Sequence, residues 1–148
     1  QNLTRDQFAV ILWRAEGSPK MDYEEKFADV AEGEWYTDAV LWANENGIAT
    51  GYADTGLFGT ADSISREQVA VMLYRYAKSK GCDVDEKAKL DGVYDDADDI
   101  SAYAKEAMEW AVGAGIIKGK DGQNILAPQG NTNRAETATL ISRFFQKY

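Results

Sequence analysis

The sequence contains no histidine and only one cysteine, Cys82. A chain without histidine cannot build a Ser-His-Asp or Cys-His nucleophile, and it lacks the ligands of the usual zinc sites. A single cysteine cannot form a disulfide bond within the chain. No apolar run approaches the ~20 residues that a membrane-spanning helix requires. We therefore expect no catalytic residues, no metal site, no cofactor and no insertion into a membrane.

Positive charge is also scarce, because 16 Lys and Arg residues face 25 Asp and Glu residues and the formal net charge is −9. This balance opposes non-specific binding to nucleic acid, so an anionic ligand would need a local basic pocket. The carboxylates show no calcium-loop pattern, and no two of them stand out as a catalytic pair. The 148 residues do include 45% hydrophobic residues and four tryptophans, which is enough for one domain with a core.

The chain contains internal repeats. An offset of 68 residues aligns four pairs without a gap: Trp42 with Trp110, Gly47 with Gly115, Ile48 with Ile116, and Arg66 with Arg134. An offset of 61 residues aligns Arg5 with Arg66 and Arg14 with Arg75. These offsets divide the chain into the second half of a first repeat (residues 1–18) and two complete repeats (residues 19–82 and 83–148), together forming one domain.

Each complete repeat is predicted to contain two helices joined by a loop, so the expected fold class is all-α. The first helix runs from about Trp35 to Asn46, and Gly47 ends it in a left-handed conformation, as Gly115 does in the next repeat. The second helices begin with capping boxes, in which a cap residue precedes a Glu or Gln by three positions: Thr4 and Gln7, Ser65 and Gln68, Asn133 and Glu136. No strand pattern competes with these helices.

All six arginines lie in the second helices, in pairs nine residues apart: Arg5 and Arg14, Arg66 and Arg75, Arg134 and Arg143. The second arginine of each pair falls in the last turns, where the helix dipole favours a cation. The first lies in the first turn, where the dipole opposes it. Three roles are open for this first arginine. It binds the carboxylate or phosphate of a ligand, it pairs with a carboxylate of the neighbouring repeat such as Asp29 or Asp96, or its stem covers apolar surface.

The segment "FADV…WYTDAVLWANENGIATGY…LFGTADSISREQ" resembles the S-layer homology repeat, and the resemblance covers essentially the whole chain. It implies a pseudo-threefold helical unit in which prongs surround a central helix bundle. It also implies an extracellular module that anchors a protein to the bacterial cell wall. Its grooves would bind secondary cell-wall polysaccharide, commonly a pyruvylated one.

By motif position, the resemblance implies carbohydrate contacts from seven residues: Arg5, Arg66, Arg134, Trp35, Tyr103, Gly51 and Gly119. The two aromatic residues either stack on a sugar or belong to the core. The helix openings read "TRDQ", "SREQ" and "NRAE" where the family has "TRAE", and "FGTA" lacks the family's proline. The alternative function is therefore a structural, self-assembly or protein-interaction module whose sugar sites have degenerated.

The first half of the first repeat is not represented in this chain. We expect its second helix, Leu3 to Ala15, to lose its partner and to expose the apolar residues of "FAVILW". An upstream segment of the parent protein or a second chain would then cover this face.

Overall fold

The computed structural model describes all 148 residues and contains helices and no β-strand. The five α-helices are α1 (Arg5–Ala15), α2 (Thr37–Glu45), α3 (Arg66–Ser79), α4 (Lys105–Gly113) and α5 (Arg134–Lys147). Three short 3₁₀ turns cover Ala97–Asp99, Ala102–Ala104 and Lys120–Gly122. The predicted all-α class is confirmed. None of the helices has the length and apolar character that a membrane span requires.

The ends of the helices follow the local sequence signals. The second helices α1, α3 and α5 each begin with a complete capping box, formed by Thr4, Ser65 and Asn133 with the third residue of each helix. After α2, Gly47 adopts a φ of 70°, and the backbone N–H of Ile48 donates to the Ala43 carbonyl at 2.8 Å. The predicted capping boxes and the glycine stop are confirmed because they depend only on contacts within a few residues. The first helix, α2, begins at Thr37, two residues after the predicted start at Trp35.

One cluster of 34 buried hydrophobic residues runs from Leu3 to Phe144 and includes residues of all five helices. The helices pack across the repeat boundaries: α1 lies against α2, and α3 lies against α4. The second helix of one repeat thus contacts the first helix of the next. This places Phe8, Val10 and Leu12 in the core, with 0%, 4% and 0% of their surfaces exposed. The expectation that α1 exposes the residues of "FAVILW" is therefore wrong.

The second helix that lacks a following first helix is α5. Four α3 residues at helical spacing are buried: Glu67, Ala70, Tyr74 and Ala77. The Tyr74 ring packs 5.4 Å from the ring of Trp110 in the next repeat. The α5 residues at the same repeat positions are exposed: Ala135, Ala138, Ser142 and Phe145. One face of α5 is therefore uncovered, and we call these four residues the open α5 face.

Three backbone segments meet in a closed ring just before the second helices. The N–H of Leu3 donates to the Thr132 carbonyl at 2.7 Å, the N–H of Thr132 to the Ile64 carbonyl at 3.2 Å, and the N–H of Ile64 to the Leu3 carbonyl at 2.9 Å. These residues hold equivalent positions in the three repeats. Such a ring brings the starts of α1, α3 and α5 together, as a threefold unit requires at its axis. The arrangement of prongs around a central bundle stays a prediction.

Candidate functional site

Two aspartates hold the loops that precede the second helices. Asp29 accepts hydrogen bonds from the backbone N–H groups of residues 58–60 at 2.9, 2.7 and 3.2 Å. Asp96 accepts from the N–H groups of residues 126 and 127 at 2.9 and 2.8 Å. Burial by itself raises the pKa of Asp29, but the backbone N–H groups favour the carboxylate and lower this pKa below its ordinary value. Each aspartate thus fixes one loop.

The first-turn arginines contact these loops rather than the aspartates. The Nε–H of Arg5 donates to the Phe58 carbonyl at 2.9 Å, and the Nε–H of Arg66 donates to the Leu126 carbonyl at 2.6 Å. Both arginines are buried, with 6% and 5% of their surfaces exposed. The alternative of direct ion pairs with Asp29 and Asp96 is wrong, because the loop backbone lies between the two charges. Each arginine joins its own repeat to the loop of the next.

The guanidinium of Arg5 has no carboxylate partner within the protein. Its only hydrogen bond is the one from Nε, and it forms no salt bridge. Its carbon Cζ lies 4.8 Å from the centre of the Tyr52 ring and 5.0 Å from the centre of the Phe58 ring. Burial lowers the pKa of Arg5 from its ordinary value, which is the expected response of an unpaired buried cation. The two Nη groups are available to an anionic ligand.

Arg5 lines an open cavity of about 470 Å³, which we call the Arg5 groove. The cavity also contains Gly51 and Tyr103, so the structure brings three of the seven predicted residues together. Tyr103 is 58% exposed, and the core alternative for this residue is wrong. The remaining polar and aromatic lining residues relevant to binding are Tyr52, Asp54, Gln68 and Arg75.

Two tyrosines give the Arg5 groove its aromatic surface. Desolvation and the nearby Glu67 carboxylate raise the pKa of Tyr103 to about 12. The Tyr52 hydroxyl donates to Asp62 Oδ2 at 2.8 Å, which fixes the ring beside Arg5. The groove therefore combines a free guanidinium with two aromatic rings.

A second cavity of about 480 Å³, the Arg66 groove, lies at the equivalent position in the next repeat. The 68-residue offset relates its Gly119, Glu136 and Arg143 to Gly51, Gln68 and Arg75 of the Arg5 groove. Here the arginine is paired within the protein: Nη1 lies 3.5 Å from Glu136 Oε2, and Nη2 donates to the Lys118 carbonyl at 3.1 Å. Two of the predicted residues, Arg66 and Gly119, meet in this groove.

The second arginines of two pairs have a different role from the predicted one. Arg14 lies in the last turn of α1, but Lys78 and Lys147 are the basic residues in the last turns of α3 and α5. Arg75 and Arg143 line the two grooves instead. The helix-dipole interpretation is therefore wrong for these two. The nine-residue spacing could have indicated that these arginines line the grooves. At 100° per residue, this spacing turns the two arginines of one helix toward opposite sides and hence toward two grooves.

Arg134 and Trp35 line neither groove. Arg134 is exposed, and its side chain makes no hydrogen bond or salt bridge within the protein. Trp35 is 58% exposed and packs edge-on against Tyr36, with ring centres 5.2 Å apart, so the core alternative is wrong for Trp35 as well. By repeat position, Arg134 corresponds to Arg66 and Trp35 to Tyr103. Their roles in binding therefore stay predictions.

The two glycines of the predicted site also have a structural role. Gly51 has a φ of 76°, and a Cβ atom there would lie 2.6 Å from Cε1 of Phe27 and 2.9 Å from the Leu57 carbonyl oxygen. A Cβ atom at Gly119 would lie 1.9 Å from the carbonyl oxygen of Gln123. A side chain at either position would push apart the loop that forms one wall of the groove. Their presence in the grooves is thus explained by loop packing alone.

Comparison with known proteins places these features in a family. A family model described as the S-layer homology domain matches residues 26–70 and 93–138. An amylopullulanase from Thermoanaerobacterium thermosulfurigenes is 30% identical over 147 residues, covering 99% of this chain and 8% of that protein. Exoglucanase XynX from Acetivibrio thermocellus is also 30% identical over 147 residues, covering 99% of this chain and 13% of that protein.

A third relative is named for the surface layer itself. The surface-layer 125 kDa protein of Lysinibacillus sphaericus is 32% identical over 120 residues, covering 79% of this chain and 10% of that protein. The chain thus spans between 8% and 13% of the length of these three relatives. The chain belongs to the S-layer homology domain family, whose members are non-catalytic modules that anchor proteins to the cell wall at the outer cell surface.

Proposed function

We propose that this chain anchors its protein by binding an acidic, pyruvylated secondary cell-wall polysaccharide, and that the Arg5 groove is its principal site. The supporting observation is the buried guanidinium of Arg5, which has two free Nη groups and no carboxylate partner. A pyruvate ketal presents a carboxylate, and the planar guanidinium can bind both of its oxygens.

The rest of the groove suits the sugar that bears this carboxylate. A volume of about 470 Å³ is within the range of small-molecule sites. The rings of Tyr52 and Tyr103 supply apolar surface for a sugar face. With a formal net charge of −9, the chain would repel an acidic polymer in general. Binding must therefore depend on the local cations Arg5 and Arg75.

The alternative, a structural or protein-interaction module, is favoured by a different observation. The open α5 face leaves Phe145 42% exposed where the equivalent α3 residue, Ala77, is buried. We propose that a first-half repeat segment equivalent to residues 27–60 covers this face. That segment would also bring a loop to Arg134 and an aromatic-lined wall to Trp35, forming a third groove. The upstream part of the parent protein or a second copy of the chain would supply it.

Retention on purified cell-wall polymer tests the anchoring function. We expect Arg5→Ala to weaken retention at least roughly tenfold, because hydrogen bonds between charged groups contribute about 1.5–3 kcal/mol. Arg14→Ala is the matched control, since Arg14 is an exposed arginine of the same helix and should leave retention unchanged. Polymer from which the pyruvate has been removed should bind wild type and Arg5→Ala equally weakly. Full retention of the Arg5→Ala protein would rule out the Arg5 groove as the principal site.

The covering of α5 is tested by the size of the protein in solution. Sedimentation of the isolated chain at increasing concentration distinguishes a monomer of 16.4 kDa from a pair of chains. If a second copy covers α5, the mutation Phe145→Glu should abolish the pair. A monomer at every concentration would rule out a second copy of the chain as the source of the covering segment.

A further inference from the structure

We propose that the two grooves have unequal affinities for the acidic sugar and that the third residue of the second helix, Gln68 or Glu136, sets this difference. The Arg5 groove binds the sugar more tightly. In the Arg66 groove, the carboxylate of Glu136 neutralises the positive charge of Arg66. This inference rests on the proposed function and goes beyond it, because it assigns the ligand to one groove and names the residue that decides.

The first reason is how many of the arginine's donors are already used. Arg66 donates from Nε to the Leu126 carbonyl and from Nη2 to the Lys118 carbonyl, and its Nη1 faces Glu136 Oε2 at 3.5 Å. Arg5 donates only from Nε. A carboxylate that enters the Arg66 groove must compete with Glu136 for Nη1 and must approach a second negative charge. In the Arg5 groove it meets two unoccupied Nη groups.

The second reason is that Gln68 and Glu136 share the same structural task. Oε1 of Gln68 accepts from the N–H of Ser65 at 2.9 Å, and Oε1 of Glu136 accepts from the N–H of Asn133 at 3.4 Å. Either residue can therefore close the capping box. They differ in the remaining atom, which is a neutral amide nitrogen in Gln68 and a negatively charged Oε2 in Glu136. The charge at this atom is therefore expected to set the difference in affinity between the two grooves.

The third reason is the aromatic surface. Lys120 occupies in the Arg66 groove the repeat position that Tyr52 holds in the Arg5 groove, and no aromatic residue lines the Arg66 groove. Contact with a sugar face is thus available in the Arg5 groove alone. The extra cations of the Arg66 groove, Lys118 and Lys120, act in the opposite direction. Both are exposed, and an ion pair with an exposed lysine contributes only about 0–1 kcal/mol, so we expect the direct contacts of the arginine and the aromatic rings to outweigh them.

The test is a titration followed by nuclear magnetic resonance, with one amide reporter in each groove. The probe is a methyl hexopyranoside that carries a pyruvate ketal, and the reporters are the backbone N–H groups of Gly51 and Gly119. In the wild-type protein we expect the Gly51 signal to saturate at a concentration roughly tenfold lower than the Gly119 signal. The isopropylidene ketal of the same sugar, which has a methyl group in place of the carboxylate, should move both signals much less.

Exchanging the two residues should exchange the affinities. Glu136→Gln should strengthen binding at Gly119, and Gln68→Glu should weaken binding at Gly51, each by roughly three- to tenfold. Both variants keep the capping oxygen, and Glu45→Gln serves as the control for removal of an exposed charge elsewhere. If the Gly51 and Gly119 signals saturate at the same probe concentration, and neither substitution changes that concentration, the proposal of unequal grooves is refuted while the proposed function stands. If the probe moves neither signal in any variant, the proposed function fails as well.

Discussion

Replacing Asp29 by asparagine should destabilise the fold and weaken the Arg5 groove together. Its carboxylate accepts from three consecutive backbone N–H groups at 2.9, 2.7 and 3.2 Å. An asparagine keeps one acceptor oxygen and turns an NH₂ group toward at least one of these donors. Because hydrogen bonds to a charged acceptor contribute about 1.5–3 kcal/mol and an orphaned donor carries a further penalty, we expect a loss of about 2 kcal/mol in the free energy of unfolding.

The same substitution should change how stability depends on pH. The pKa of Asp29 is lower in the folded chain than in the unfolded chain, so its contribution is fully present above the unfolded pKa of about 3.9. This contribution is lost as the pH falls through the folded pKa. The difference between wild type and Asp29→Asn should therefore be largest near pH 7 and should shrink below about pH 4.

Urea unfolding monitored by tryptophan fluorescence at pH 7 and at pH 3 measures both effects. Asp98→Asn is the matched control, because Asp98 is exposed and its side chain makes no hydrogen bond in the structure. Asp96→Asn should lower the free energy of unfolding by less than Asp29→Asn does, since Asp96 accepts from two backbone N–H groups rather than three. An Asp29→Asn protein as stable at pH 7 as the Asp98→Asn protein would show that the aspartate does not fix the loop.

Two further substitutions test the packing. Gly51→Ala should lower the free energy of unfolding by about 2–4 kcal/mol, because the new Cβ atom would collide with Phe27 and Leu57 at a residue with positive φ. Gly47→Ala is the control and should lower it by only about 1 kcal/mol, since no atom lies within 4 Å of a Cβ atom at Gly47. Thr137→Val should stabilise the chain by about 1 kcal/mol, because the buried Thr137 hydroxyl has no partner. Urea unfolding checks each variant, and a Gly51→Ala protein no less stable than Gly47→Ala would contradict the close approach.

The features that the sequence predicted well are local. The capping boxes at Thr4, Ser65 and Asn133 and the glycine stop at Gly47 depend on residues within one helical turn, and the structure confirms them. The repeat offsets also related the two grooves correctly, since Gly51 and Gly119 hold matching positions. Periodicity and repetition were therefore enough for the helices and their order.

The errors concern contacts between repeats. Repetition shows that two segments are alike but not which segment packs on which, so the uncovered helix was expected to be α1 and is α5. The partner of Arg5 was missed for a related reason. The acceptor is the backbone carbonyl of Phe58, and because every residue has a carbonyl, the sequence does not indicate which one accepts. The pairing of Arg66 with Glu136 also depends on the approach of two repeats, 70 residues apart along the chain.

The central claim, that the guanidinium of Arg5 binds the carboxylate of an acidic sugar, is tested most directly by one calorimetric comparison. The affinities of wild type and Arg5→Ala are measured for the pyruvate ketal and for the isopropylidene ketal of the same methyl hexopyranoside. We expect wild type to prefer the pyruvate ketal by at least roughly tenfold and a folded Arg5→Ala protein to show nearly no preference. A folded Arg5→Ala protein that keeps the full preference would contradict the claim.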